Sequence, residues 1–246
     1  MEPLVIIPTY NECENIQRLI PIILTLPTRF DILIIDDASP DGTGEVAESL
    51  AQAWPGRVHV LHREAKLGLG SAYVMGFRYA VGHAYDLIFQ MDADFQHDPA
   101  DLERFVAAAR TAEVVIGSRY VAGGSTIEWS AFRRAISQGG ALYTRTLLNL
   151  PYSDVTTGYR CYHRHILEQL DLDNVTTTGF GFQVEMLYRC HQLGARIVEL
   201  PIVFHRRRIG QSKMNSDIFI EAMALVWRLR RDAGQRPPTA LGAPSR

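Results

Sequence analysis

Apolar runs and segments with helical periodicity alternate along the first half of the chain. Runs rich in β-branched and other large apolar residues predict strands at 4–8, 31–37, 57–62, 86–90 and 113–120. The segments between them carry apolar residues on one helical face and predict helices at 15–24, 42–54, 69–82 and 98–110. Strands that are apolar along most of their length and alternate with helices predict an α/β fold, with a mainly parallel sheet covered on both faces.

The pattern changes after Gly124. A segment that is both apolar and basic is followed by a loop leading into a strand, a helix, a further strand and an amphipathic helix, at 129–150, 154–164, 179–194, 196–205 and 215–231. The last residues, 235–246, are rich in Pro, Ala and Gly, and we expect them to form a disordered tail.

Composition narrows the function classes. The chain has 246 residues, 47% of them hydrophobic, which is enough to bury the core of one large domain. A net charge of −2 argues against binding to nucleic acid through a generally basic surface, so no nucleic-acid partner is expected. Three cysteines without a Cys-x-x-Cys pair indicate a reducing compartment. Neither a secretory signal nor a membrane-spanning helix is expected from the sequence.

The stretch MDADFQHDP follows the fourth predicted strand and carries oxygen ligands at alternate positions. On an extended chain Asp92, Asp94 and Gln96 would point to one side and could converge on one cation. An all-oxygen set without Cys or His ligands suits Mg²⁺ or Mn²⁺. Asp98 and Pro99 predict the N-cap and first residue of the next helix. An Asp-x-Asp pattern alone arises often by chance, so the cation site needs support from the rest of the chain.

Acidic clusters follow the first two predicted strands. PTYNECEN, at 8–15, and DDASPDG, at 36–42, could accept hydrogen bonds from a base and from ribose hydroxyls, although ordinary capping and turn chemistry is the alternative. KLGLGSAYVMG, at 66–76, fails as a dinucleotide fingerprint because Tyr73 takes the third glycine position. We interpret it as a loop that approaches a nucleotide, again with turn chemistry as the alternative.

Cations form a separate group. Arg119 leaves the fifth strand, and Arg133 and Ser137 are four residues apart, so they share a helical face. The segment RRRIGQSKM adds Arg207 and Lys213 around a flexible glycine. Guanidinium groups bind phosphate with two parallel hydrogen bonds, so these residues are candidates for phosphate binding rather than ordinary solvated surface groups.

These motifs together carry a family resemblance. PTYNECENI, DDASPDGT, MDADFQHDP, GSRYVAGG, DVTTGYR, GFGFQVEM and RIGQSKM, in this order, resemble the dolichol- or polyprenol-phosphate mannose synthases, which are inverting glycosyltransferases of the GT-A fold. The resemblance runs from residue 3 to about 214. It implies a GT-A domain over 1–234, in which 1–124 bind a nucleotide sugar and 125–234 bind the acceptor. The implied reaction is metal-dependent transfer of mannose from GDP-mannose to a polyprenyl monophosphate.

The resemblance also implies roles for individual residues. The nucleotide would be held by Pro8, Tyr10, Glu12, Asp37, Asp92 and Ala93. The cofactor, Mg²⁺ or Mn²⁺, would be held by Asp92, Asp94 and Gln96. The acceptor phosphate would be held by Arg119, Arg133 and Ser137. The residues implied to act in catalysis are Asp94, Arg119, Arg207 and Lys213.

The resemblance leaves the membrane attachment and the donor sugar open. Many prokaryotic relatives carry transmembrane helices after this domain, whereas this sequence resembles the type that lies at the cytoplasmic face of the membrane beside a separate anchoring protein. The apolar and basic segments 129–150 and 218–231 are then candidates for the membrane surface, with a core-facing helix and solvated arginines as the alternative for 218–231. The alternatives are transfer from UDP-glucose or another nucleotide sugar, and a nucleotide-binding protein without catalysis.

Overall fold

A central sheet of seven strands organises the molecule. The computed structural model describes residues 1–175, 177, 179, 181–205 and 225–231. The strands, in chain order, are β1 (Pro3–Thr9), β2 (Asp31–Asp36), β3 (Val58–His62), β4 (Leu87–Gln90), β5 (Val114–Ser118), β6 (Ser125–Thr126), β7 (Arg160–His163), β8 (Ile197–Pro201) and β9 (Val203–Phe204). The order in the large sheet is β3-β2-β1-β4-β7-β5-β8, and β6 pairs with β9 in a separate sheet of two strands.

Helices cover both faces of the large sheet. They are α1 (Cys13–Leu24), α2 (Thr43–Ala53), α3 (Leu69–Gly82), α4 (Asp101–Ala108), α5 (Ala131–Leu148), α6 (Arg164–Gln169) and α7 (Gly181–Gln192), with a 3-10 turn at Leu172–Asn174 and a helical segment at 225–231. Alternate residues of β1 enter different cores. Leu4 and Ile6 join the core under α3 and α7, whereas Val5 and Ile7 join the core under α1 and α4. The predicted α/β architecture is confirmed.

One strand runs against the others. β7 lies between β4 and β5 and is antiparallel to both, with Cys161 opposite Phe89 on one side and Val115 on the other. Its first residue, Arg160, therefore lies beside Gln90 at the end of β4. As a result, the loop before β7 reaches the same rim of the sheet as the carboxyl ends of the parallel strands.

Two local sequence predictions are wrong. The predicted strand 196–205 is divided at Ile202, because β8 pairs with β5 while β9 pairs with β6. Helix α4 begins at Asp101 and not directly after Asp98. The Asp98 carboxylate instead accepts a hydrogen bond from the amide of Ala100 at 2.9 Å and closes the turn that precedes the helix.

Several predicted elements lie outside the described residues. They include Arg207, Lys213, the tail 235–246 and all of the predicted helix 215–231 except 225–231. Within the described part of the chain, none of the helices combines the length and the apolar character that a membrane span requires.

Candidate active site

The loops that follow β1 and β2 are tied together by a buried carboxylate. Asp36, at the end of β2, accepts hydrogen bonds from the hydroxyl of Thr9 at 3.0 Å and from that of Ser39 at 2.6 Å. The Ser39 hydroxyl in turn accepts the amide of Asn11 at 3.0 Å. Asp36 thus fixes the two loops relative to each other. The candidate for ligand contact at this strand end is the next residue, Asp37.

Asp37 is paired with an arginine that the sequence analysis missed. Nη1 of Arg63 lies 2.9 Å from Oδ1 of Asp37, and both side chains are almost fully buried. Burial raises the pKa of Asp37, and the charge of Arg63 only partly offsets this. Arg63 also donates hydrogen bonds to the carbonyl of Gly68 at 3.2 Å and to the hydroxyl of Ser71 at 2.7 Å. It therefore joins the end of β2 to the first turn of α3.

Backbone conformation and close packing explain the two glycines of the KLGLG segment. Gly68 has a φ of 97°, which a residue with a side chain rarely adopts. A Cβ on Gly70 would lie 2.2 Å from the carbonyl oxygen of Thr177, so the close approach of α3 to the start of α7 requires glycine. Turn and packing chemistry, the alternative weighed for this segment, accounts for both positions. Lys66 nevertheless faces the candidate nucleotide region, because its ammonium lies 4.1 Å from the ring centroid of Tyr10.

The remaining candidate nucleotide residues lie along the same rim. Pro8 is half-buried near the end of β1, and Ala93 is buried after β4. Glu12 precedes α1 and accepts a hydrogen bond from the side-chain amide of Asn15 at 2.6 Å. Its own backbone amide donates to the hydroxyl of Thr43 at 3.0 Å. The structure therefore places these residues at neighbouring strand ends, as a nucleotide site requires, and their ligand contacts stay a prediction.

The MDADFQ stretch is a turn and not an extended segment. Phe95 has a φ of 60°, and Asp94 accepts a hydrogen bond from the amide of Gln96 at 3.0 Å. The argument that alternate residues of an extended chain point to one side is therefore wrong here. The side-chain amide nitrogen of Gln96, Nε2, donates to the carbonyl of His205 at 3.1 Å. Asp92 accepts a hydrogen bond from the hydroxyl of Tyr73 at 3.3 Å.

The donor atoms of this turn fit a hard divalent cation. Asp92 and Asp94 supply carboxylate oxygens, and the bond from Gln96 to His205 uses the amide nitrogen, which leaves the amide oxygen as a ligand. Oxygen-only sets of this kind suit Mg²⁺ or Mn²⁺. No group of three or more His, Cys, Asp or Glu residues could hold a metal within the part of the chain that the structure covers. Among the described residues, Gln96 is the candidate for a third protein ligand beside the two carboxylates.

His97 is buried behind the turn. Its ring lies parallel to Tyr159 at 4.7 Å and meets Phe204 edge-on at 5.3 Å. Neither ring nitrogen has a hydrogen-bond partner among the described residues. Burial lowers the pKa of His97 to about 4, although the charge of Asp94 opposes the shift. The imidazole is therefore neutral at physiological pH and supports the turn as an aromatic packing group.

Arg119 is held in a buried ion pair. Its Nε and Nη2 atoms each lie 2.7 Å from a different carboxylate oxygen of Asp154, and Nη2 also donates to the hydroxyl of Thr156 at 2.8 Å. Burial alone would lower the pKa of Arg119, but the charge of Asp154 and the hydrogen bonds to its carboxylate together outweigh burial and raise the pKa. The pKa of Asp154 is lowered, since the same pairing outweighs the effect of burial. Only Nη1 remains for a phosphate.

Aromatic rings connect Arg119 with the start of α5. The guanidinium carbons of Arg119 and Arg133 lie 5.6 Å and 4.3 Å from the Trp129 ring. The hydroxyl of Tyr120 lies 2.7 Å from that of Ser137. Arg119 and Arg133 therefore share the Trp129 ring, and Ser137 contacts the Tyr120 hydroxyl. These are the three residues implied to bind the acceptor phosphate. A cavity of about 300 Å³ beside them is lined by Arg119, Tyr120, Val121, Gly124, Ser125, Thr126, Arg134 and Gln138.

Comparison with known proteins identifies close relatives over nearly the whole chain. The profile of the family described as glycosyl transferase family 2 matches residues 4–171. An undecaprenyl-phosphate mannosyltransferase of Micrococcus luteus is 47% identical over 228 residues, which are 93% of each chain. A polyprenol monophosphomannose synthase of Mycolicibacterium smegmatis is 43% identical over 230 residues, covering 92% of this chain and 87% of that one.

Solved structures share the fold at low sequence identity. A glucosyl-3-phosphoglycerate synthase from Mycobacterium tuberculosis, in complex with Mn²⁺, UDP and glucosyl-3-phosphoglycerate, aligns with a TM-score of 0.70. The alignment covers 98% of this chain and 83% of that chain at 17% identity. At this level of identity the likeness concerns the fold alone.

Proposed function

The chain belongs to glycosyl transferase family 2, and from this premise we propose that it transfers mannose from GDP-mannose to a polyprenyl monophosphate. The observation that carries the proposal is the identity of 47% and 43% with relatives named for this acceptor class. The geometry supports it, because an acidic turn and an arginine-lined cavity lie at one rim of the sheet. The acidic turn suits a cation with a diphosphate, and the arginine-lined cavity suits a phosphate acceptor.

The acidic turn would serve the departing nucleotide. Asp92, Asp94 and the amide oxygen of Gln96 would hold Mg²⁺ or Mn²⁺, which supplies positive charge to the diphosphate as the bond to the sugar breaks. Pro8, Tyr10, Glu12, Asp37 and Ala93 would hold the nucleoside. The ion pair with Arg63 would hold the Asp37 carboxylate in position for this contact.

The acceptor explains why no general base is assigned. A phosphate monoester has a second pKa of about 6, so at neutral pH its oxygen can attack the sugar carbon without losing a proton. One in-line displacement then inverts the configuration at that carbon. The remaining difficulty is repulsion between the acceptor dianion and the donor diphosphate, which nearby cations reduce. Arg119 and Arg133 supply this charge, and Arg207 and Lys213 are further candidates outside the described residues.

Arg133→Ala is expected to impair use of the acceptor. We expect kcat/KM for polyprenyl phosphate to fall by several-fold to a few hundred-fold, corresponding to the ~1–3 kcal/mol of a charge-assisted contact. GDP affinity should change little, because Arg133 stacks on Trp129 on the acceptor side. Acceptor kinetics and calorimetric GDP binding, measured on the same variant, test this expectation.

Arg134→Ala is the matched comparison. Arg134 is the next residue on α5 and lines the cavity, whereas Arg133 makes the cation–π contact with the Trp129 ring. A larger acceptor defect in Arg134→Ala than in Arg133→Ala would show that Arg134, and not Arg133, holds the acceptor phosphate. Lost GDP binding with a normal acceptor KM would assign Arg133 to the donor. Either result would contradict the assignment of Arg133.

The donor is tested with a panel of nucleotide sugars. Purified protein, a short polyprenyl phosphate and Mg²⁺ or Mn²⁺ are incubated separately with labelled GDP-mannose and UDP-glucose, and label in the extracted lipid is counted. We expect transfer from GDP-mannose. Preferential transfer from UDP-glucose would establish the alternative donor, and absence of transfer from every donor would favour a nucleotide-binding protein without catalysis.

We also propose that α5 lies against the membrane that holds the acceptor. Residues 131–136 are exposed, and among them Phe132 is 76% and Ile136 is 44% exposed beside two arginines. Exposed apolar side chains next to cations suit an anionic lipid surface. The segment 225–231 differs, because Leu225, Val226 and Leu229 are buried in the protein core. We propose that the protein attaches in this way to the cytoplasmic face of the membrane, either directly or together with an anchoring protein.

Sedimentation with anionic liposomes tests the membrane surface. We expect the wild-type protein to bind at low salt, and a Phe132→Ser/Ile136→Ser variant to bind several-fold less, because the apolar side chains that enter the lipid interface are lost. Arg78→Ala serves as a control, since Arg78 is an exposed arginine on α3. Equal binding of the double variant and the wild type would exclude α5 as the attachment surface.

A further inference from the structure

Gln183 carries a buried amide that no described residue satisfies. It lies in the first turn of α7 and is 3% exposed. Neither its Oε1 nor its Nε2 atom has a hydrogen-bond partner among the described residues. An unsatisfied buried polar group costs stability, and native proteins keep few of them. A ligand that completes these hydrogen bonds is therefore a direct explanation for the residue.

The free amide is next to the acidic turn. A Cβ on Gly158 would lie 3.5 Å from Nε2 of Gln183 and 3.6 Å from a carboxylate oxygen of Asp92. The backbone conformation of Gly158 does not require glycine. The effect of a glycine at this position is therefore the space that a side chain would otherwise fill. Gln183 and Asp92 thus both border the small space beside Gly158.

The surrounding contacts hold Gln183 in place. Arg160 donates hydrogen bonds to the carbonyl of Gln183 at 2.7 Å and to that of Thr157 at 2.9 Å, which fixes α7 relative to the loop that contains Gly158. The Phe182 ring lies parallel to Tyr73 at 5.9 Å, and the hydroxyl of Tyr73 contacts Asp92. The amide and the carboxylate are therefore positioned by one connected set of rigid side chains.

The chemistry of the amide selects its ligand. A side-chain amide offers one donor group and one acceptor group and carries no charge. A phosphate dianion needs donors and would be repelled by Oε1, whereas a sugar hydroxyl can donate and accept. We propose that Gln183 binds a hydroxyl group of the transferred sugar and helps to determine which sugar is used. This inference rests on the proposed glycosyl transfer and adds a residue that recognises the sugar itself.

Calorimetry on Gln183→Met tests the inference without requiring turnover. Methionine keeps the length of the side chain and removes both polar atoms. We expect the variant to bind GDP as the wild type does, because GDP has no sugar to transfer. Its affinity for GDP-mannose should fall roughly 10-fold or more, as expected when a hydrogen bond to a buried group is lost. Equal affinity of wild type and variant for GDP-mannose would overturn the proposal.

Donors that lack single hydroxyl groups add a sharper comparison. The mannosyl hydroxyl bound by Gln183 should be the one whose removal weakens binding to the wild type but has no further effect on Gln183→Met. If every deoxy donor weakens both proteins equally, Gln183 does not contact the sugar. The melting temperature of Gln183→Met should equal or exceed that of the wild type, since a buried unsatisfied amide is removed. A clear decrease would instead show a structural hydrogen bond and contradict the proposal.

The result is separable from the proposed reaction. If the wild type binds GDP-mannose more tightly than GDP and Gln183→Met loses the difference, the inference holds even where no mannose reaches the lipid. If the wild type transfers mannose and Gln183→Met shows unchanged kcat/KM and affinity, the reaction is right and the inference is wrong.

Discussion

Asp94→Asn is expected to abolish transfer, lowering kcat/KM by roughly a thousand-fold, because a metal at this site contributes several kcal/mol of charge stabilisation. Asn removes one anionic ligand. It retains the side-chain oxygen that accepts the hydrogen bond from the amide of Gln96 at 3.0 Å, so the turn should keep its shape. The loss should therefore come from metal-dependent donor binding and not from misfolding.

Calorimetry of GDP binding with and without Mg²⁺ or Mn²⁺ separates these causes. The wild type should bind GDP more tightly with metal, and Asp94→Asn should lose most of that enhancement. Asp98→Asn is the control, because Asp98 is a nearby carboxylate that only closes the turn before α4. An equal metal enhancement in wild type and Asp94→Asn would show that Asp94 does not hold the cation.

Asp154→Ala is expected to cause the largest loss of stability. Arg119 would remain charged and buried without its two carboxylate bonds of 2.7 Å. Breaking one partner of a buried pair costs about 3–5 kcal/mol, which for a chain of this size lowers the melting temperature by on the order of 10 °C. Thermal unfolding monitored by circular dichroism measures the effect.

Two further variants identify the cause. Asp173→Ala breaks the exposed pair with Arg78 and should melt close to the wild type. Combining Arg119→Met with Asp154→Leu removes both charges and should regain much of the stability, while transfer stays impaired because the cation is absent. If Asp154→Ala melts like the wild type, the ion pair does not stabilise the buried Arg119. The conclusion that Asp154 holds the Arg119 side chain rigidly beside the cavity would then be wrong.

The alternating pattern of the first half was sufficient to predict the sheet and its functional rim. Strands β1 to β5 are apolar along their length and alternate with helices, so local periodicity predicts both their type and their shared direction. The position of β7 could not be predicted in this way. It follows β5 by more than forty residues of chain and enters between β4 and β5, and strand order depends on packing over the whole domain.

The ion-pair partners of the charged residues could not be predicted from the sequence either. Arg119 was expected as a phosphate ligand, but nothing in its neighbourhood indicated that Asp154 would take two of its nitrogen atoms. Arg63 gave no motif signal, although it fixes Asp37 and the loop before α3. In both cases the paired residues are far apart in the sequence, and only the folded sheet brings them together.

Neutral polar residues were the hardest to recognise. Gln183 lies in a motif that carried the family resemblance, yet an amide within a helical pattern has no local feature that predicts burial without a partner. His97 has no motif signal either, and the structure makes it a buried aromatic packing group. In contrast, the oxygen ligands of MDADFQ were recognised from residue type, although the conformation assumed for them was wrong.

The most direct test of the proposed function is mass spectrometry of the lipid product. Purified protein is incubated with GDP-mannose, a short polyprenyl phosphate of known mass and Mg²⁺ or Mn²⁺, with parallel samples containing a chelator or Asp94→Asn. The account predicts a lipid heavier by one hexose residue in the complete reaction only. An unchanged lipid in the complete reaction, or the same product with chelator and with Asp94→Asn, would contradict it.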